Sequence, residues 1–326
     1  MTTFVRTQEI EHRLGERGQL SVRVTSPEVE MRATDGETAR VRVTFEIRAS
    51  DDAEADAILD RVRFEVTEGP GSLDVTEPKH GSGGRASLAR VLGIGGAWHI
   101  ETRVAVDAPR GTALQFDGVS ADLTSTGFGG AQQYRTVSGD LVLAEIGGDV
   151  RVKGVSSDVS LRATGTLSSL DVNTVSGDVS AIAPRFEHLR AATVSGDVEI
   201  EGTLADGPVH RVETVSGDLS IGAGNDLTVE VRGLSTAADI RLPHRSEGSR
   251  DRRRYVIGTG GPQLLFRSMS GDIEVRPPRR GPSVPALAPT PRDDGQLAVL
   301  RALERGDIDV EEATRRLAAR GGDGDV

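Results

Sequence analysis

The sequence predicts an all-β fold of a particular kind, a single-chain β-solenoid, β-helix-like in its short strands, with a small C-terminal α-hairpin. Three observations predict it. The run Thr-Val-Ser-Gly-Asp occurs at Thr136 to Asp140, Thr174 to Asp178, Thr193 to Asp197 and Thr214 to Asp218, with looser copies ending at Asp122, Asp158, Asp239 and Asp272. Those eight aspartates are 18 to 21 residues apart, except for a gap of 33 before the last, so one structural unit repeats and the last copy carries an insertion. Among 326 residues, 40 are glycine and only 3% are aromatic, a composition that suits narrow stacked coils with tight corners better than one large core.

The N-terminal part, 1–106, reads as a β-rich cap on the solenoid. Leu20/Val22/Val24 and Val41/Val43/Phe45/Ile47 alternate as half-buried strands. Residues 51–62 read as a short helix opened by an acidic cap. A glycine-rich flap follows over 79–99, with the apolar patch Leu88/Val91/Leu92/Ile94, and Ile100/Thr102/Val104/Val106 then leads into the first coil.

The solenoid itself spans 107–276. The residue after each aspartate is always aliphatic, from Leu123 and Leu141 to Ile240 and Ile273, and the residue two further on continues the alternation, with Ser125 as its one hydroxyl. Three before the aspartate stand Val119, Val137, Val155, Val175, Val194, Val215, Thr236 and Met269. These share the parity of the aliphatic positions, so they are expected to point inward, while the intervening Ser and Asp face out. Only Gly, Ala or Ser immediately precedes the aspartate, as a sharp bend requires. A second strand precedes each bend, visible as Leu114/Phe116, Val150/Val152, Leu170/Val172 and Leu264/Phe266. One unit cannot bury its own apolar face, so units must stack, at about 4.8 Å per rung.

From 277 to 295 a proline-rich, semi-rigid linker follows. Residues 296–321 then read as a two-helix hairpin, with Leu297, Leu300 and Leu303 at helical spacing. Gly306 breaks the first helix, and Asp309 with Glu312 caps a second that carries Leu317.

Composition also excludes chemistry. With no cysteine there are no disulfides, thiolate metal sites or cysteine nucleophiles. A formal net charge of -11 argues against general nucleic-acid binding, which needs a basic face. The N-terminus has no apolar h-region and no stretch is apolar enough to span a membrane, so a cytoplasmic location is expected. The six histidines have no metal-ligand spacing, the glycine-rich pieces lack the lysine of a phosphate loop, and no nucleophile elbow occurs. No cofactor is expected.

Stacked aspartates would bring like charges about 5 Å apart, so either turn hydrogen bonds or a bridging cation must stabilise them. The Gly-Gly-x-Gly-x-Asp calcium repeat is absent, which favours the turn role. Two interaction candidates remain. One is the polar loop His244 to Arg254, which gathers Arg245, Arg250, Arg252, Arg253 and Arg254. The other is the leucine stripe of the tail, Leu297, Leu300, Leu303 and Leu317.

The reiterated Thr-Val-Ser-Gly-Asp-Val/Leu, with Gly-Gly-Pro-x-Leu and Ser-Met-Ser-Gly-Asp-Ile between Gly260 and Ile273, resembles the bacterial DUF4097 family, labelled putative adhesins, over roughly residues 15–276. The resemblance implies a repeat β-fold without catalytic residues. The tail pattern from Leu300 to Leu317 is similar to short helical hairpins of SHOCT type, which implies oligomerisation or partner binding. The expected function is a non-enzymatic scaffold that binds a protein partner through the solenoid and itself through the tail. Alternatives are a polymer-forming cytoskeletal-type solenoid and a polysaccharide-acting β-helix enzyme. The latter is disfavoured because its acids would have to form a single cleft rather than recur coil after coil.

Overall fold

The structure, a computed structural model, describes residues 2–78, 100–224, 226–249 and 252–279. The flap 79–99, most of the linker, the hairpin 296–321 with its four leucines, and Arg250 lie outside the described residues. The first compact unit ends at Pro278 and contains the solenoid.

Its N-terminal elements are β1 (Thr2–Arg13), β2 (Gln19–Val24), β3 (Glu28–Thr34), β4 (Thr38–Ala49), α1 (Asp52–Val62), β5 (Glu65–Gly69), β6 (Ser72–Thr76) and β7 (Ile100–Pro109). The repeat begins with β8 (Ala113–Gly118), β9 (Leu123–Thr126) and β10 (Gln132–Arg135). The long strands β11 (Leu141–Lys153) and β12 (Val159–Asn173) each run through a bend. Then come β13 (Val179–Phe186), β14 (Leu189–Ala192), β15 (Val198–Leu204), β16 (Val209–Glu213), β17 (Leu219–Gly222), β18 (Leu227–Gly233) and β19 (Ala238–Ile240). The last are β20 (His244–Ser249), β21 (Arg252–Ile257), β22 (Gln263–Ser268) and β23 (Ile273–Arg276).

Each rung of the stack is a pair of strands joined by a corner, and two parallel sheets result. The first runs β2, β8, β10, the end of β11, the end of β12, β14, β16, β22 and β18. The second runs β3, β9, the start of β11, the start of β12, β13, β15, β17, β23 and β19. Between the sheets lie the inward columns, such as Leu123, Leu141, Val159, Val179, Val198, Leu219 and Ile273, all buried. Each such side chain contributes about 1.5–3 kcal/mol of transfer free energy. A third side of the coil is closed by buried Phe128, Ile146, Leu167, Phe186 and Leu204. Ser125 does face inward, and the Tyr134 hydroxyl lies 2.9 Å from its Oγ and donates to Gln132 at 2.8 Å.

The repeat also reaches into the N-terminal part. Leu20 and Val22 stand in register with Leu114 and Phe116, and Val29 and Met31 with Leu123 and Ser125, so β2 and β3 form a rung without the Ser-Gly-Asp signature. Beyond it, β7 continues the second sheet, followed by antiparallel β4 and β1, while β6 and antiparallel β5 continue the first. Helix α1 packs on this end through Ala55, Ile58, Leu59 and Val62. Asp51 accepts the Glu54 N–H at 2.8 Å, satisfying a first-turn donor, and Glu54 accepts at 2.7 Å the N–H of Ser50, just before the cap.

The far end departs from the expected order. The chain runs from β17 to the terminal rung, β18 and β19, and only then returns, so that β22 inserts between β16 and β18, and β23 between β17 and β19. The 33-residue gap is therefore a hairpin excursion and return. Asp239 is out of register by two: Ala238 pairs with Ile273, which puts Ala237 at the aspartate position.

Candidate interaction surface at the corner of the solenoid

The pentad Thr-Val-Ser-Gly-Asp makes the corner between the two sheets. At Ser the N–H donates to the carbonyl of the valine one rung below, at 2.7 Å for Ser138 on Val119 and 2.8 Å for Ser156 on Val137. At the aspartate the backbone N–H has no carbonyl to meet. It donates instead to Oδ1 of the aspartate one rung below, from Asp140 on Asp122 (2.9 Å) to Asp272 on Asp218 (2.8 Å). Ala237 ends the series by donating to Asp272 at 2.7 Å. One carboxylate oxygen of each aspartate is thus a structural acceptor, and a charge-assisted hydrogen bond offsets the stacking of like charges. Among the described residues no group of three or more His, Asp or Glu is placed to hold a metal ion.

The corner valines do not point inward. Thr136 and Leu141 are buried, but Val137 between them is 50% exposed, and Val119, Val155, Val175, Val194, Val215 and Met269 are exposed likewise. Parity counted along the chain fails because the corner is not strand: the pentad carries one residue too many for alternation to survive the bend. The terminal rung completes the row with Leu234, 82% exposed, whose neighbour Ser235 bonds to the Met269 carbonyl. The result is an apolar ridge climbing eight rungs, with the aspartate row beside it.

Corner packing shows a compensating pattern. Each of the eight corners from Gly118 onward has a glycine at its first or fourth position. Where Thr or Ser comes first, Gly comes fourth, as at Thr136/Gly139 and Ser268/Gly271; where Gly comes first, Ala121, Ser157 or Thr236 comes fourth. A Cβ on Gly154 would collide with Ser157 Oγ, and one on Gly233 with Thr236 Oγ1, so one pocket holds one side chain from either position. A Cβ on Gly177 would collide with the carbonyl oxygen of Ser157 one rung below.

Of the arginines between His244 and Arg254, Arg245, Arg252, Arg253 and Arg254 lie not on a polar loop but on an antiparallel hairpin, β20 and β21, that extends the first sheet beyond β18. Arg245 and Arg254 are exposed and Arg253 half-buried. Arg252 donates to Glu230 at 2.7 Å, and so does Arg232, at 2.5 Å. Burial pushes the Glu230 carboxyl up, but these two guanidinium groups outweigh it and hold the group below its usual range. Arg252 is therefore partly neutralised within the sheet. A depression of about 460 Å³ on the outer face of the first sheet, lined by Ser21, Gln115, Gln133, Arg151 and Asp171 among others, has no counterpart among the sequence candidates.

A family model described as Toastrack DUF4097 matches residues 17–276, the span of the stack. The chain belongs to the Toastrack DUF4097 family. No curated protein matches it. Among solved structures, a "putative cell adhesion protein" from Clostridium sporogenes ATCC 15579 is 11% identical, covering 83% of this chain and 99% of its own, with a TM-score of 0.24. A "putative adhesin" from Parabacteroides distasonis ATCC 8503 is 12% identical over 83% and 97%, with a TM-score of 0.34. A "putative lipid binding protein" from the same organism is 12% identical over 83% and 96%, with a TM-score of 0.28. At these values the likenesses fix neither a partner nor an activity for this Toastrack chain. No helix among the described residues is long and apolar enough to cross a membrane.

Proposed function

We propose that this chain is a non-enzymatic cytoplasmic scaffold: the corner of the solenoid is its protein-binding surface, and the tail, 296–321, joins copies of the chain. The observation that carries the reading is the ridge. An unbroken row of Val, Met and Leu stays exposed over eight rungs although the core beside it is complete, and contiguous apolar surface of this kind marks interaction sites. The acids speak against catalysis, since the aspartates recur identically and each has an oxygen committed to the backbone. End-to-end polymerisation is disfavoured because antiparallel strands and α1 cover the first rung.

The test on the full chain replaces Val137 and Val155 together by Asp, set against Val142→Asp on the adjoining sheet face. Loss of a bound partner in the ridge variant alone is expected; equal binding by both would remove the ridge from the account. For the tail, light scattering on the full chain and on residues 1–276 is decisive, since the same number of chains per particle in both would remove its role.

A further inference from the structure

We propose that the partner of the ridge is a second copy of this chain, lying alongside with its stack parallel and related by a two-fold axis along the ridge. This rests on the ridge being an interaction surface, and it names the occupant. The first ground is period. Rungs of stacked β coils rise about 4.8 Å, whereas turns of an α-helix rise about 5.4 Å and same-face side chains of an extended strand about 6.6–6.8 Å. Across the seven steps from Val119 to Leu234 a straight helix would drift by about 4 Å, nearly a whole rung, and a strand would fall out of step within two. Another β stack stays in step throughout, and a second copy carries the same apolar row.

The second ground is charge. On one side of the ridge runs the aspartate row. On the other, two residues before the ridge positions, stand Arg135, Lys153, Arg267 and Arg232 against Asp117 and Glu213, with Asn173 and Ala192 neutral and Arg232 also bonded to Glu230. Arg135 and Arg267 reach those two acids at 3.4 and 3.5 Å yet keep about half of their side-chain surface in solvent. A two-fold along the ridge sets the aspartate row of each copy opposite the basic row of the other. A two-fold across the ridge would set aspartates against aspartates, so electrostatics selects the parallel arrangement.

The third ground is area. Eight half-exposed aliphatic side chains offer on the order of 500 Å² per copy, short of the roughly 800 Å² per partner of a standard stable interface. The association is therefore reversible and concentration-dependent.

The chain has no native cysteine, so single substitutions report directly. Under mild oxidation a two-fold along the ridge brings every ridge position against its own copy. Val119→Cys, Val175→Cys and Val215→Cys are each expected to give a disulfide-linked dimer of the full chain, with Val142→Cys as the off-ridge control. In sedimentation, Val155→Asp with Val175→Asp is expected to raise the dimer dissociation constant at least about tenfold. Cross-linking at Val175 alone, the middle rung, would mean opposed stacks and overturn the parallel arrangement. Cross-linking at no ridge position beyond the control overturns self-association there. If the ridge cysteines fail but Val137→Asp with Val155→Asp still abolishes partner binding, the inference falls while the scaffold reading stands; if both fail, both fall.

Discussion

Gly177→Ala is expected to destabilise the chain by about 3 kcal/mol, in two separable parts. Gly177 has φ of 131°, and an L-residue held there costs about 1–2 kcal/mol. The new methyl is also driven into the carbonyl oxygen of Ser157, and forced overpacking of this kind costs about 1–3 kcal/mol more. Gly36 isolates the first part, because its φ is 138° and nothing lies within 4 Å of its Cβ position, so Gly36→Ala should cost only about 1–2 kcal/mol. Gly165 isolates neither, with open space and no positive φ, and Gly165→Ala should stay within about 0.5 kcal/mol of the parent. Urea unfolding midpoints at matched slope give the three differences. If Gly177→Ala costs no more than Gly36→Ala, the corner glycines are not packed against the rung below, and the account of the corner is wrong.

Gly154→Thr should destabilise by about 2 kcal/mol through its collision with Ser157, and adding Ser157→Gly should restore at least about half, a coupling that a double-mutant cycle in urea reads directly. His210 is wholly buried, bonds the Ala205 carbonyl through Nε2 at 2.9 Å, faces Leu264 on the next rung and leaves Nδ1 without a partner; burial lowers its pKa, with His188 adding to the effect and Glu187 opposing it. The unfolded chain takes up that proton near pH 6.5, so the stability due to the neutral ring is present above that pH and lost as pH falls below it; His210→Leu should flatten the acid side of a melting-temperature profile. Arg276 reaches back over β17 to Glu199 (2.9 Å) and Glu201 (3.0 Å), and Gly222 leaves room for the Glu201 carboxylate, so Arg276→Met should cost about 2–4 kcal/mol in the same urea assay by removing a buried cation shared by two carboxylates.

The stack was legible because its inward columns, such as Leu141 and Leu143, lie in true strand, where alternation is a geometric necessity. The corner was legible in composition but not in direction, since Val137 keeps the parity of Leu141 only on paper: the bend between them rotates the backbone. Chain order at the far end was not legible, because β17 finds β23 before β19 through sheet pairing, which leaves no local trace beyond a long gap. The first rung was hidden for another reason. Val24-Thr25-Ser26-Pro27-Glu28 does the work of the pentad with only its Ser in common, and Ser120 still donates to the Thr25 carbonyl. The exchange of Gly154/Ser157 for Thr174/Gly177 was written in the sequence, but its meaning needed the pocket that both side chains share.

The direction of the corner valines is what most sharply separates this account from simple alternation, and thiol labelling measures it. In single-cysteine variants at a concentration where the chain is monomeric, Val175→Cys should react at nearly the rate of the unfolded chain, while Val179→Cys, four residues on and of the same parity, should be protected until unfolding. Equal protection at both positions would put the valines inside the coil, leaving no ridge and no surface of the kind proposed.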